Sequence, residues 1–161
     1  MLNRHSHRQA SPWVMCVLLT LAAAATRADD KSDSVTFQIW SIRATHSDKE
    51  ISKELEKLAD ALKKTFKYTG YKLLKTDKTS AELNKSVTST LPGPYKLTLT
   101  PQKRADEKIT YKLQITERKG DKDVEKLNTT VAITPERFQL TGGSAYKLEG
   151  GDDLIIAISV K

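Results

Sequence analysis

The stretch SDKEISKELEKLADALKKTFKYTGYKLL, Ser47 to Leu74, decides how the chain is read. Ile51, Leu55, Leu58, Leu62 and Phe66 follow one another at spacings of four, three, four and four. That places them on one side of a helix, with Ala59 at the margin. Lys49, Lys53, Glu56, Asp60 and Lys63 fall on the opposite, solvated side. Ser47 and Glu50 have the Ser-x-x-Glu spacing of a capping box, in which each side chain bonds an orphan backbone donor. Asp48 and Glu50 suit the positive end of the helix dipole, and Lys63, Lys64 and Lys67 the negative end. Gly70 supplies a stop. The spacing predicts a helix of about 20 residues, roughly 30 Å long, enough to cross several strands. Phe66, Tyr68, Tyr71, Leu73 and Leu74 at its exit read as core packing rather than as an aromatic platform for a ligand.

The sequence on either side reads as strands. Val35, Phe37 and Ile39 alternate with Thr36 and Gln38, after which Trp40 and Ile42 carry the apolar side to the other face. Either a bulge shifts the register there or the strand is covered on both faces, and a central strand under the helix is the favoured reading. Lys75 to Ser80 is a polar break, and Ala81 to Leu91, with Leu83 and Val87, a weak edge strand. Pro92-Gly93-Pro94 marks a turn. Tyr95, Leu97 and Leu99, then Ile109, Tyr111, Leu113 and Ile115, alternate with polar residues across the charged loop Pro101 to Glu107. They have the spacing of two antiparallel neighbours, with the tyrosines in the inward phase. A turn at Arg118 to Asp121 leads to a strand through Leu127, Val131 and Ile133, ended by Pro135. Phe138 and Leu140 begin a short strand that Gly142-Gly143 breaks. Leu154 to Val160 is a nearly continuous apolar run, the mark of a strand covered on both faces. The expectation is an α+β domain: one amphipathic helix packed on an antiparallel sheet or open sandwich of about seven to eight strands.

The first 28 residues read as a secretory signal. Arg4 and Arg8 precede an apolar run from Val14 to Ala25, too short to span a bilayer, and Thr26-Arg27-Ala28 offers a cleavage site. The single cysteine, Cys16, lies inside that run, so residues 29–161 hold no disulfide, thiol nucleophile or cysteine metal site. Their length suits one domain. The whole chain has a net charge of +7, but Arg4, Arg8 and Arg27 leave with the signal and no acid does, so 24 basic residues face 20 acidic ones at +4. Asp29 to Ser34 is a polar lead-in.

Few catalytic chemistries survive this inventory. His46 is the only histidine after residue 28, and a dyad with Ser41 or Ser47 lacks a nucleophile elbow. His46, Asp48 and Glu50 make a poor zinc set, and Asp152 and Asp153 lack the ligand loop of a calcium site. Gly142-Gly143 lacks the Lys and Ser or Thr of a phosphate loop. Inward-facing tyrosines argue against nucleic acid. Asn84-Lys-Ser86 and Asn128-Thr-Thr130 match the glycosylation pattern, which matters only in a eukaryotic secretory pathway. No cofactor or metal is expected.

Phe66-x-Tyr68-x-x-Tyr71-x-Leu73-Leu74 after a helix, then alternating strands and a Gly-Gly turn into a Leu-Ile-Ile strand, resembles small exported bacterial proteins without assigned function. A thinner resemblance is to the periplasmic domains of secretion-channel proteins, which carry two helices where one is expected here. Neither resemblance implies an active site. The expected role is a non-catalytic binding or assembly module of the cell envelope, periplasmic or extracellular. Its protein partner would meet the rim Gly142 to Asp153, through Tyr146, Lys147 and Asp152, or add a strand to Ala81–Leu91. The alternatives are a small-molecule pocket between helix and sheet near Trp40 and Tyr71, and a hydrolase built on His46.

Export has a direct check. N-terminal sequencing of the protein recovered from outside the cytoplasm is expected to begin at or near Asp29. A full-length chain found only in the cytosol contradicts it.

Overall fold

A computed structural model describes residues 34–161 of the chain, and the expected signal and most of the polar lead-in lie outside them. The strands are β1 (Ser34–Thr45), β2 (Gly70–Glu82), β3 (Val87–Thr90), β4 (Tyr95–Ala105), β5 (Lys108–Lys119), β6 (Lys122–Ile133), β7 (Phe138–Lys147) and β8 (Asp153–Val160). They form two four-stranded sheets, ordered β2-β1-β8-β7 and β3-β4-β5-β6. Every neighbouring pair is antiparallel.

The alternation seen in the sequence decides which side chains meet. Val35, Phe37 and Ile39 of β1 and Leu154, Ile156, Ile158 and Val160 of β8 face Leu97 and Leu99 of β4 and Ile109, Tyr111, Leu113 and Ile115 of β5 in one buried core. The Phe37 and Tyr111 rings meet edge to face at 5.3 Å. On the other side of the first sheet, Ile42 and Ala44 of β1 and Ile155 and Ala157 of β8 pack against Leu55, Leu58, Leu62 and Tyr71. Strand β1 is thus covered on both faces without a change of phase, and the irregularity opposite Ser41/Ile42 leaves Leu74 of β2 as the extra residue, 41% exposed. All eight residues of β8 are buried.

The helix departs from expectation. A 3-10 segment (Lys53–Leu58) runs into a two-turn helix α1 (Ala59–Thr65). The capping box does not form. Ser47 bonds Thr45, its amide and hydroxyl reaching Thr45 Oγ1 at 3.1 and 2.8 Å. The Tyr71 amide donates to Glu50 O at 2.8 Å and the Ser52 amide to Tyr71 O at 3.0 Å, so Glu50–Ser52 is held extended beside β2. Gly70 is no helix stop either. Phe66 leaves α1 in an extended conformation, and Gly70 opens β2 pressed against Asp48, with which any Cβ would collide.

Strand structure gains what the helix loses. Lys75 to Ser80 is not a break but the middle of β2, polar because much of that strand is exposed. Ala81 and Glu82 end β2, and only Val87–Thr90 of the Ala81–Leu91 stretch forms the separate strand β3. Pro101 to Ala105 continues β4, and Asp106 and Glu107, both at positive φ, make the tight hairpin turn to β5. Strand β7 runs through Gly142-Gly143 instead of stopping there. The expected α+β class is therefore corrected. The described residues form an eight-stranded antiparallel β-sandwich with one short helical segment on its outer face, nearer all-β than α+β.

Leu62, fully buried beneath α1, tests this arrangement. Leu62→Ala is expected to cost about 2–5 kcal/mol in denaturant unfolding. A change below about 0.5 kcal/mol, the scale of surface substitutions, would show that the helical segment is not part of the core. Gly70→Ala, with no room for its methyl group, is expected to cost about 1–3 kcal/mol.

Candidate functional site

The rim proposed from the sequence is occupied with its own packing. Tyr146 is only 4% exposed. Its ring meets Tyr95 edge to face at 5.4 Å and closes one end of the inter-sheet core, so it offers no exposed anchor. The Tyr95 hydroxyl donates to Lys147 O at 3.2 Å. Lys147 Nζ lies 2.6 Å from Asp153 Oδ1, and the Tyr68 hydroxyl donates to Asp153 Oδ2 at 2.6 Å. Arg43 sits between Asp152, at 3.5 Å, and Asp48, at 3.4 Å. Gly142, at φ 128°, lets β7 close on β8, since a Cβ there would lie 2.7 Å from Ile155 Cα.

The weak-strand site is also engaged. Lys75 Nζ donates to Thr90 O at 2.9 Å and Ser89 Oγ to Asp77 Oδ2 at 2.8 Å, which ties the edge of one sheet to the edge of the other. Burial opposes ionisation of Asp77. The Lys75 ammonium and the Ser89 hydroxyl outweigh it and hold the carboxyl below its ordinary range.

No hydrogen bond among the described residues joins His46 to Ser41 or Ser47. The His46 ring lies on Tyr68 at 4.8 Å, Ser41 is buried, and the Ser47 hydroxyl is taken by Thr45. Among the described residues, no three His, Cys, Asp or Glu side chains are grouped to hold a metal, and no helix is long and apolar enough to cross a membrane.

A cleft of about 460 Å³ opens beside the 3-10 segment, over the first sheet. Its floor follows from the strand register. Gln38, Ser159 and Phe138 form one row across β1, β8 and β7, and Trp40, Ala157 and Leu140 form the next. Trp40 and Phe138 are partly exposed, with ring centroids 5.2 Å apart and planes at 55°. Glu54 and Lys57 of the 3-10 segment form one wall, and Glu136 and Lys161 the other. None of these four charged side chains has an ion pair among the described residues. The Trp40 Nε1–H is buried and has no acceptor among them. Such a donor costs about 1–3 kcal/mol until one is provided. Glu136 holds a left-handed φ of 65°, a conformation that side chains beyond glycine adopt at a cost.

The pocket expected near Trp40 and Tyr71 is thus built on Trp40 but not on Tyr71. Tyr71 is 1% exposed beneath the helical segment, its hydroxyl 3.2 Å from Leu62 O and 2.9 Å from Phe66 O. Sequence reasoning missed Glu54, Lys57, Glu136 and Phe138. The one legible signal was Gln38-x-Trp40 on the outward phase of β1; the other groups come from segments far apart in the chain. No protein-family model, curated protein or solved structure matches the chain.

Tyr68, Tyr71, Tyr95, Tyr111 and Tyr146 are all the tyrosines of the chain, and each phenol is raised above its ordinary pKa, chiefly by burial. For Tyr68 the bond to Asp153 and that carboxylate's charge add to the shift. Unfolded tyrosines lose their protons near about pH 10. Above that pH the unfolded state binds fewer protons than the native one, so stability falls as pH rises. Phenolate absorbance is expected to develop together with unfolding in alkaline titration. A tyrosine titrating normally in the folded protein contradicts this.

Proposed function

We propose that this protein is an exported, non-catalytic binding module that takes a small ligand in the cleft over Trp40. The observation that carries the reading is the partly exposed Trp40–Phe138 pair at the floor, ringed by charged side chains with no ion pair among the described residues. Pockets of this volume, apolar below with a few convergent polar groups above, are the usual form of small-ligand sites. The export part of the reading rests on residues 1–28. The non-catalytic part rests on His46, whose ring faces Tyr68 and not a nucleophile. A cell-envelope location, periplasmic or extracellular, follows from the same signal. Docking of a protein partner on the rim is the weaker reading, because Tyr146 is buried and Lys147 and Asp152 are paired within the fold.

Ligand-observed NMR against a chemically mixed small-molecule library tests the site. At least one compound is expected to bind the native protein and to lose binding by about tenfold or more in Trp40→Ala, a loss of about 1.4 kcal/mol or more. Glu54→Ala with Lys57→Ala, both at exposed positions, should weaken the same compound without unfolding the protein. Compounds that bind all variants equally, or no binder at all, would count against the cleft.

A further inference from the structure

We infer that a second copy of this chain pairs with the far half of β6, joining two copies edge to edge through the second sheet. Native sheets blunt their edges with short strands, bulges, charges or covering segments, because a free row of backbone donors and acceptors invites another strand. Three of the four edges here are closed in such ways. Strand β3 is four residues long and is tied to β2 through Lys75 and Ser89. The start of β2 carries Glu50–Ser52 along its outer side. Strand β7 is irregular between Gly143 and Lys147. The near half of β6 is blunted too. Lys122, Asp123, Glu125 and Lys126 are charged, and Lys126 is the extra residue of a bulge opposite Ile115/Thr116.

Residues 127–133 have no such device. They contain no charge, proline or glycine, and they pair with β5 without a shift from Leu127 opposite Ile115 to Ile133 opposite Ile109. Regular antiparallel pairing on one side leaves alternate N–H and C=O groups pointing away from the partner strand. Among the described residues, no backbone group outside β5 bonds to this half of β6. The core is open here as well. Leu127 and Val131 pack against it only partly buried, and Thr129 between them is exposed. The segment fits its own reverse. Antiparallel pairing about Thr130 sets Leu127 opposite Ile133, Asn128 opposite Ala132, Thr129 opposite Val131 and Thr130 opposite its own copy. This register keeps all seven residues in the ladder and opposes no like charges. It also carries the inward aliphatic row of one copy on into that of the other. Such pairing has a two-fold axis, the commonest symmetry of soluble oligomers. A strand pair of this length is a small interface, so the dimer forms and separates with concentration.

Sedimentation velocity of the full chain over a wide concentration range tests the pairing. A monomer–dimer equilibrium is expected. Thr130→Lys, at an exposed position, sets like charges against each other across the axis and should weaken dimerisation by about tenfold or more. Thr130→Glu should do the same. An equal mixture of the two variants should restore dimers, because each lysine then faces a glutamate. Thr88→Lys makes the same change at an exposed position of β3 and should leave dimerisation unchanged. It also serves as the control for any association through residues 1–28. Circular dichroism checks that each variant is folded, and if one of the Thr130 pair is not, the other still reads the loss. A chain that stays monomeric at every concentration overturns the inference. So do dimers that Thr130→Lys leaves intact, or a mixture no more dimeric than its parts.

Discussion

Strand β8 is apolar on both faces, and each face has to be covered. Leu154, Ile156, Ile158 and Val160 look inward, while Ile155 and Ala157 look outward. A buried aliphatic side chain contributes about 1.5–3 kcal/mol relative to exposure, so neither face can be left wet. The inward face is answered by the second sheet, through β4 and β5. The outward face is answered by Leu55, Leu58 and Leu62 of the helical segment and by Tyr71. The sandwich and its short helix are two solutions to the burial of one central strand.

The outer cover is shorter than the strand beneath it. The 3-10 segment and α1 shield the rows of Ile42 with Ile155 and leave the rows of Trp40 and Gln38 only partly covered. Trp40 packs against Phe138 and stays partly exposed. The cleft is therefore a consequence of the length mismatch. Its charged walls come from the solvated face of the helical segment and from the chain around β7 and β8.

Polar contacts then lock the opposite end. Asp153, at the start of β8, receives the Tyr68 hydroxyl from the segment after α1 and the Lys147 ammonium from the end of β7. A buried carboxylate held by one hydrogen bond and one ion pair is stabilising only while both remain, because losing one leaves charge without compensation. Tyr68 and the segment that carries it are thereby fastened to the sheet. This is also why Lys147 and Asp153 serve the fold before they could serve a partner.

Alternation of residues along single segments made most strands legible in the sequence. The inward phases of β1, β4 and β5, the double burial of β8 and the apolar side of the helical segment all follow from spacing that a strand or helix must respect. The sequence by itself also determined that residues 29–161 contain no cysteine and one histidine. What spacing could not decide was competition for backbone donors. Ser47 and Glu50 have a capping pattern, but the partners supplied by Thr45 and Tyr71 hold that segment extended and shorten the helix. Gly142-Gly143 looks like a break, yet lies within β7 because the approach of β8 needs a residue without a Cβ there. Tyr146 looks like a surface aromatic between glycines, yet Tyr95, remote in sequence, buries it. The cleft is the furthest from sequence: Trp40, Glu54 and the Glu136-x-Phe138 pair come from three segments far apart in the chain, and only strand register and a short helix bring them together.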